Sequence, residues 1–169
     1  ARVARWNGQT IGEHPYSVAQ HSLLVEHVAA RLDPSLRPDG HMSVLLHDAP
    51  EYVVGDLISP FKAVLGGNYK DIEHRLLAAI RLRYSLSASP TEALTSLIKK
   101  ADRIAARFEA TRLAGFEETE ARRYFGTLGR LKPTREIDAF LVPWPTELAQ
   151  TRFRDRFLMH ERSRPAPSL

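Results

Sequence analysis

The chain has 169 residues, which is enough for one compact domain whose core is stable without disulfides or a structural metal. It contains no cysteine, which excludes disulfide frameworks, thiolate metal sites and cysteine nucleophiles. The formal net charge of +4 favours anionic partners such as nucleotides, but it is too small to indicate a stable nucleic acid partner. A metal ion in such a chain would serve chemistry rather than folding.

Apolar segments in the sequence are short. None approaches the roughly 18 residues that cross a bilayer, and the first residues, which include Arg2 and Arg5, lack the apolar stretch of a signal peptide. The arginines between residues 152 and 164 indicate a solvated helix face rather than an RNA-binding surface. We therefore expect a soluble cytoplasmic protein with no membrane partner.

Helical periodicity begins at about residue 17. Apolar side chains recur at helical spacing over residues 17–32, and Asp33-Pro34 ends the pattern. His21 lies on this apolar stripe. A second helix is predicted over about residues 40–53, and it carries the pair His47-Asp48.

Two longer helices are predicted in the middle of the chain. One spans about residues 69–86 and carries little obvious chemistry. The next has Ser89 as its N-cap, Pro90 at the first helical position and Glu92 three residues after the cap, and it extends to about residue 115. Asp102 lies on or beside the buried face of this helix.

A shorter helix near residues 120–131 and a last helix from about Thr146 complete the pattern. The sequence has no alternating strand pattern and no internal repeat. We therefore predict the all-α fold class, as a compact helical bundle. One domain is expected over residues 1–163, followed by a frayed tail over residues 164–169.

Ionisable side chains on apolar helical stripes are the first indication of chemistry, because a buried ionisable group must be paired, neutralised or bound to metal. His21, the pair His47-Asp48 and Asp102 come from three different helices. Two imidazoles and two carboxylates suit a divalent ion and leave positions for water and a phosphate oxygen. Each residue alone also has a plainer explanation, since a helical histidine is usually a packing residue and Asp102 could pair with Arg103.

The order of these residues resembles the H…HD…D pattern of the HD-domain metal-dependent phosphohydrolases, and the neighbouring segments are similar to the bacterial 5′-deoxynucleotidases. The matching segments are Arg5-Trp6, SVAQHSL over 17–23, LLHDAPE over 45–51, GDL over 55–57, SPFK over 59–62 and KKAD over 99–102. They cover most of the first 110 residues in the family's order. The segment between Asp56 and Asp102 is shorter than in that branch, and residues after Gly115 give no match.

The resemblance implies an HD-type helical bundle with one divalent metal ion, which could be Co²⁺, Mn²⁺, Zn²⁺, Mg²⁺ or Fe²⁺. His21, His47, Asp48 and Asp102 are its expected ligands. The implied reaction is removal of the 5′-phosphate from a 2′-deoxynucleoside monophosphate by attack of a metal-activated water. The implied assembly is a homo-oligomer.

Glu51 is the predicted catalytic residue. It follows His47 by four residues, so the two side chains are expected on one face of one helix. A carboxyl group beside an activated water can relay the proton that a leaving alkoxide needs. The alternative is that Glu51 only ends the helix on its solvent side.

Four further residues are predicted to bind substrate. The guanidinium of Arg5 can take two phosphate oxygens, and Trp6 offers a flat wall for a sugar or base. Asp56 can accept a hydrogen bond from a sugar hydroxyl, or it can be a turn residue. Lys62 could add charge near the phosphate. We expect solvated side chains at the remaining histidines, which are His14, His27, His41, His74 and His160.

Two other functions are compatible with the same residues. Related small HD proteins remove the whole triphosphate from a deoxynucleoside triphosphate, and the local site could be almost identical. A non-catalytic nucleotide sensor could keep the pocket without turnover, although it would then keep several ionisable groups buried at a desolvation cost. We predict a monophosphatase, because a triphosphate site should supply several more cations near the metal.

Overall fold

The computed structural model describes residues 1–57, residue 64 and residues 67–165. Within these ranges the chain is all-helical, with eight α-helices, one short 3-10 turn and no strand, which confirms the predicted all-α class. None of the helices in this part of the chain is both long and apolar enough to cross a membrane. The helices are α1 (Val18–Leu32), α2 (Pro38–Leu45), α3 (Glu51–Val54), α4 (Gly67–Arg83), α5 (Glu92–Arg112), α6 (Glu118–Phe125), α7 (Arg135–Phe140) and α8 (Thr146–Arg162).

The central helix is α1, which packs against α2, α5, α7 and α8. Ser17 caps its N-terminus by accepting a hydrogen bond from a backbone N–H three residues later. Its apolar side chains, such as Leu24 and Val28, belong to the main core cluster. Because α1 is covered on most sides, its ionisable residues His21 and Glu26 are buried as well.

The second helix ends earlier than the sequence predicts. The continuous helix expected over residues 40–53 is wrong, because α2 stops at Leu45 and a new helix starts only at residue 51. Pro50 is the physical reason, since it has no N–H to donate and its ring clashes with the carbonyl four residues earlier. His47 and Asp48 therefore lie in the turns between α2 and α3.

Helix α5 begins later than predicted. Its N-cap is Thr91 rather than Ser89, and the Thr91 hydroxyl oxygen accepts a hydrogen bond from Leu94 N at 3.3 Å. The helix ends at Arg112, close to the predicted end. This long helix carries the polar residues that face α1.

The C-terminal third differs from the prediction at two helices. The helix expected over residues 120–131 is α6, which ends at Phe125 because Gly126 adopts a φ of +79°. Helix α7 was not predicted, since six residues are too few to show a helical period. Thr134 caps α7 by accepting a hydrogen bond from Ile137 N at 3.4 Å.

The last helix, α8, begins at Thr146 as predicted. After it, the two terminal nitrogens of Arg164 donate to the carbonyl oxygens of Tyr84 and Ser85, each at 2.8 Å. These bonds attach the end of α8 to the end of α4. Residues 166–169 of the predicted tail lie outside the described residues.

Candidate metal centre

The N-terminal segment runs antiparallel to the residues that precede α1. Backbone hydrogen bonds join Arg5 N to Tyr16 O at 2.7 Å and Val18 N to Val3 O at 2.9 Å. A left-handed turn follows, with a φ of +55° at Trp6, a conformation that bulky residues rarely adopt. This pairing holds Arg5 and Trp6 beside the first turn of α1.

His21 lies on that first turn, and its ring is fully buried. Its Nδ1 lies 2.5 Å from Oε1 of Glu109. Because a carboxylate accepts, Nδ1 carries the ring proton, and Nε2 of the neutral ring has a free lone pair. Nε2 lies 3.3 Å from Asp48 Oδ2 and 3.3 Å from Asp102 Oδ1, but it makes no hydrogen bond among the described residues.

His47 is oriented in the same way. Its Nδ1 donates to the carbonyl oxygen of Val44 at 2.8 Å, so Nε2 again has the lone pair in the neutral ring. That Nε2 is buried, lies 3.2 Å from Asp48 Oδ2 and lacks a hydrogen bond to any described residue. When both rings are neutral, two nitrogen lone pairs and a carboxylate oxygen converge here, which is unfavourable unless a proton or a metal cation lies between them.

The group formed by His21, His47 and Asp48 could hold a metal ion, since its ligand atoms all lie within 4.8 Å of one another. Asp102 faces the same His21 nitrogen from α5 but lies outside this tight group, and its side chain is 40% exposed. Imidazole nitrogens with carboxylate oxygens are a donor set for divalent metals. The residues present therefore fit the ion that the sequence predicts.

The electrostatics of the centre favour positive charge. Burial lowers the pKa of His47, but Asp48 and Asp102 together outweigh burial and raise it. Burial also lowers the pKa of His21, yet Glu109 and the other carboxylates raise it well above its usual value. Burial raises the pKa of Asp48, but the two histidines hold it well below its usual range. Carboxylates that favour a proton on these rings also favour a bound cation.

Glu51 is the first residue of α3 and is 3% exposed. It lines a cavity of about 390 Å³ together with Asp48 and Asp102. The prediction that Glu51 and His47 share one helical face is wrong, because the helix is interrupted at Pro50 between them. The turn nevertheless brings the Glu51 carboxyl group to the wall of this cavity.

Arg5 lines the same cavity among three carboxylates. Its guanidinium lies 3.5 Å from Asp48, 3.8 Å from Asp56 and 3.5 Å from Glu109. Burial lowers the pKa of Arg5, but these carboxylates outweigh burial and raise it. Asp56 lines the cavity as well, whereas the predicted contact residue Lys62 lies outside the described residues.

Glu109 is a central residue that the sequence analysis missed. It is 0% exposed, and its Oε2 accepts a hydrogen bond from Trp6 Nε1 at 3.0 Å while Oε1 binds His21. Burial raises the pKa of Glu109, but His21 and Arg5 lower it by more, so the carboxylate is ionised. Its position seven residues after Asp102, two turns along one helical face, is the signal that could have revealed it.

The cavity also has aromatic lining residues. Helix α6 contributes Tyr124 and Phe125, and helix α5 contributes Arg103 and Ala106. The ring centroid of Phe125 lies 5.8 Å from that of Trp6. No sequence motif indicated a role for these residues of α6.

A second group that could hold a metal ion consists of Glu26, His41 and His160. Its ligand atoms already have partners, since Glu26 Oε1 lies 2.7 Å from His41 Nδ1 and 3.0 Å from His160 Nε2. Arg156 donates to Glu26 Oε2 at 2.7 Å. The expectation that His41 and His160 are solvated is wrong, and a hydrogen-bonded cluster accounts for these contacts without a metal.

Comparison with known proteins identifies one relative. A Rhodobacter capsulatus protein, described as uncharacterized, is 52% identical over 148 residues, which is 82% of this chain and 76% of the relative. The chain belongs to the same family as that protein. No family model matches the chain.

The fold and the site can be compared with the HD-type domain that the sequence resembles. An all-helical chain with a histidine and aspartate group that could bind a metal is compatible with an HD-type domain. The first two histidines and the first aspartate of the H…HD…D order meet at one point, and the last aspartate faces that point from another helix.

Proposed function

We propose that the protein is a metal-dependent phosphohydrolase that removes the 5′-phosphate from 2′-deoxynucleoside monophosphates. The observation that carries this proposal is the convergence of the lone-pair nitrogens of His21 and His47 on Asp48, at a cavity that also contains Arg5. A divalent ion bound there supplies an electrophile that polarises the phosphoryl group and lowers the pKa of water. Asp102 is the fourth proposed ligand.

The chain's own residues would bind and orient the phosphate. Arg5 can donate two hydrogen bonds to phosphate oxygens, in place of its long contacts to Asp48 and Asp56. Trp6 is fixed by its hydrogen bond to Glu109 and offers its ring to the sugar. Asp56 lines the cavity and can accept a hydrogen bond from the 3′-hydroxyl, and we propose that this contact disfavours a 2′-hydroxyl.

Glu51 would manage the protons of the reaction. A water oxygen forms the new bond to phosphorus while the bond from phosphorus to the 5′-oxygen breaks. The Glu51 carboxylate accepts the proton of the attacking water and returns it to the leaving 5′-oxygen, so the products are a nucleoside and orthophosphate. Its position on the wall of the cavity supports this role.

The test is product analysis with a panel of substrates. Purified protein is incubated with each dNMP, NMP and dNTP in the presence of Mn²⁺, Co²⁺, Mg²⁺ or Zn²⁺. We expect dAMP to be hydrolysed to deoxyadenosine and orthophosphate faster than AMP is hydrolysed to adenosine and orthophosphate. The substitution His47→Asn should abolish both reactions. His14→Asn, a change outside the cavity, is the control. Binding of dAMP without turnover under any metal would overturn the proposal in favour of a nucleotide sensor.

One observation favours a second candidate, a deoxynucleoside triphosphate triphosphohydrolase. A cavity of about 520 Å³ is lined by His47 and Asp102 of the candidate centre together with Lys99 and His74. These two basic side chains could bind additional phosphates. Release of inorganic triphosphate from dATP, with dAMP left intact, would select this candidate.

A further inference from the structure

The cavity beside the metal centre is lined by two chemically different groups of side chains. Arg5, Asp48 and Glu51 are the groups that the proposed phosphate chemistry uses. Tyr124 and Phe125 are aromatic and are not used by that chemistry. The volume of about 390 Å³ is in the range of small-molecule sites. A ligand that contacts both groups needs a phosphate and a flat ring.

Tyr124 is an unusual residue for the rim of such a cavity, since its large aromatic side chain is 62% exposed. Its ring belongs to an aromatic group, with ring centroids 6.3 Å from Phe116 and 6.5 Å from Phe125. Phe116 in turn lies 5.7 Å from Trp6, the residue proposed to contact the sugar. The aromatic group therefore runs without a break from the sugar position to the rim.

The position of Tyr124 is held from α5. Arg107 donates to the carbonyl oxygen of Gly126 at 2.8 Å and to Glu118 Oε2 at 3.0 Å. These two contacts hold both ends of α6 against α5, since Glu118 begins the helix and Gly126 follows its last residue. The backbone that carries Tyr124 is therefore held in place before a ligand binds, which lowers the entropy lost on binding.

We propose that Tyr124 binds the base of the substrate nucleotide by aromatic stacking, with Phe125 as its support. This inference rests on the proposed function for the position of the phosphate. Every base has a flat π-face, so the platform selects nucleotides over simpler phosphate esters without selecting one base. Tyr124 is thus a substrate-binding residue that makes the site prefer nucleotides to phosphate esters without a base.

The experiment measures affinity, so that it does not depend on turnover. Calorimetry in the presence of Mn²⁺ gives the Kd of dAMP and of 2-deoxyribose 5-phosphate, which has the same phosphate and sugar without a base. The protein carries Glu51→Gln to prevent hydrolysis, and it is compared with and without Tyr124→Ala and Tyr124→Phe. Tyr52→Ala is the matched control, because Tyr52 is 86% exposed but does not line this cavity.

We expect Tyr124→Ala to weaken dAMP binding about fivefold or more, in line with stacking measured for other proteins. Binding of 2-deoxyribose 5-phosphate should not change, and Tyr124→Phe should behave as the parent. Equal weakening of both ligands, or no weakening of dAMP, would overturn the inference. If the wild type hydrolyses no phosphate ester but Tyr124→Ala still weakens dAMP binding, the base site is supported and the proposed function is rejected.

Discussion

At the scale of single residues, His21 shows how a buried imidazole can be oriented so that one ring nitrogen is available to a metal ion. Its two nitrogens have different tasks, because Nδ1 is held by Glu109 while Nε2 faces Asp48 and Asp102. The partner on Nδ1 fixes both the tautomer and the orientation of the ring. Trp6 uses the other oxygen of the same carboxylate, so one glutamate orients a proposed ligand and a proposed substrate contact.

Glu109→Ala is expected to weaken metal binding by about 10-fold to 100-fold, the usual range for the partner of a metal-bound histidine. It should also lower the free energy of unfolding by about 1–3 kcal/mol for each buried donor that loses its acceptor. Glu109→Gln keeps an acceptor and should have a smaller effect on both. Metal titration and denaturant unfolding measure the two effects. Unchanged metal affinity in folded Glu109→Ala would contradict the orienting role.

Glu51→Gln should separate metal binding from turnover. The variant keeps the size of the side chain but cannot accept the proton, so we expect turnover of dAMP to fall by about 10²-fold to 10⁴-fold. Metal content, measured on the purified protein, should stay the same, since Glu51 is not among the proposed ligands. Near-normal turnover would show that another group transfers the proton.

At the scale of helices, local sequence signals predicted that a segment is helical better than they predicted where the helix begins and ends. The apolar period and Ser17 located α1, whereas the break after α2 depended on Pro50 inside an otherwise helical pattern. Thr91 rather than Ser89 caps α5, although both residue types favour that position. The choice between neighbouring caps depends on tertiary packing that a local pattern does not contain.

Thr91→Ala should therefore lower the free energy of unfolding by about 0.5–2 kcal/mol, the usual effect of losing an N-cap. Ser89→Ala is the matched control, because Ser89 is exposed and precedes the helix. Denaturant unfolding of both variants gives the comparison. A larger loss for Ser89→Ala than for Thr91→Ala would mean that α5 starts where the sequence pattern placed it.

The candidate site, like the helices, could be predicted only in part from the sequence. Motif order, spacing and neighbouring segments indicated His21, His47, Asp48 and Asp102. In the structure Asp48 lies beside both histidines, and Asp102 lies beside His21. Glu109 was not predictable from a motif, since its importance comes from a contact across 88 residues of sequence. Long-range contacts of this kind exist only once the helices pack.

At the scale of the whole molecule, α1 joins two polar clusters on different sides of one helix. His21 contributes to the metal centre, and Glu26, five residues later, binds His41, His160 and Arg156. At roughly 100° per residue the two positions point in different directions from the helix axis. The second cluster ties α2 and α8 to α1, which stabilises the scaffold that carries the first.

This second cluster predicts a pH dependence of stability. Burial lowers the pKa of His160 from its ordinary value of 6.5, so the unfolded chain takes up this proton at a higher pH than the folded chain. The contribution of neutral His160 to the free energy of unfolding is present above the pKa that His160 has in the unfolded chain. It is lost as the pH falls through the lower pKa of the folded chain. Wild type should therefore lose more unfolding free energy than His160→Asn between about pH 7.5 and about pH 5. If the unfolding free energies of wild type and His160→Asn change with pH in parallel, His160 is not the source of the pH dependence.

We propose that one divalent ion binds at His21, His47 and Asp48, with Asp102 beside them. The most direct measurement is titration of chelator-treated protein with Co²⁺, followed by calorimetry and by the visible absorption of the bound ion. We predict one ion per chain, lost in His47→Ala and retained in His41→Ala, which removes a histidine from the Glu26 cluster. No bound ion in the wild type, or loss of the ion in His41→Ala but not in His47→Ala, would contradict the account.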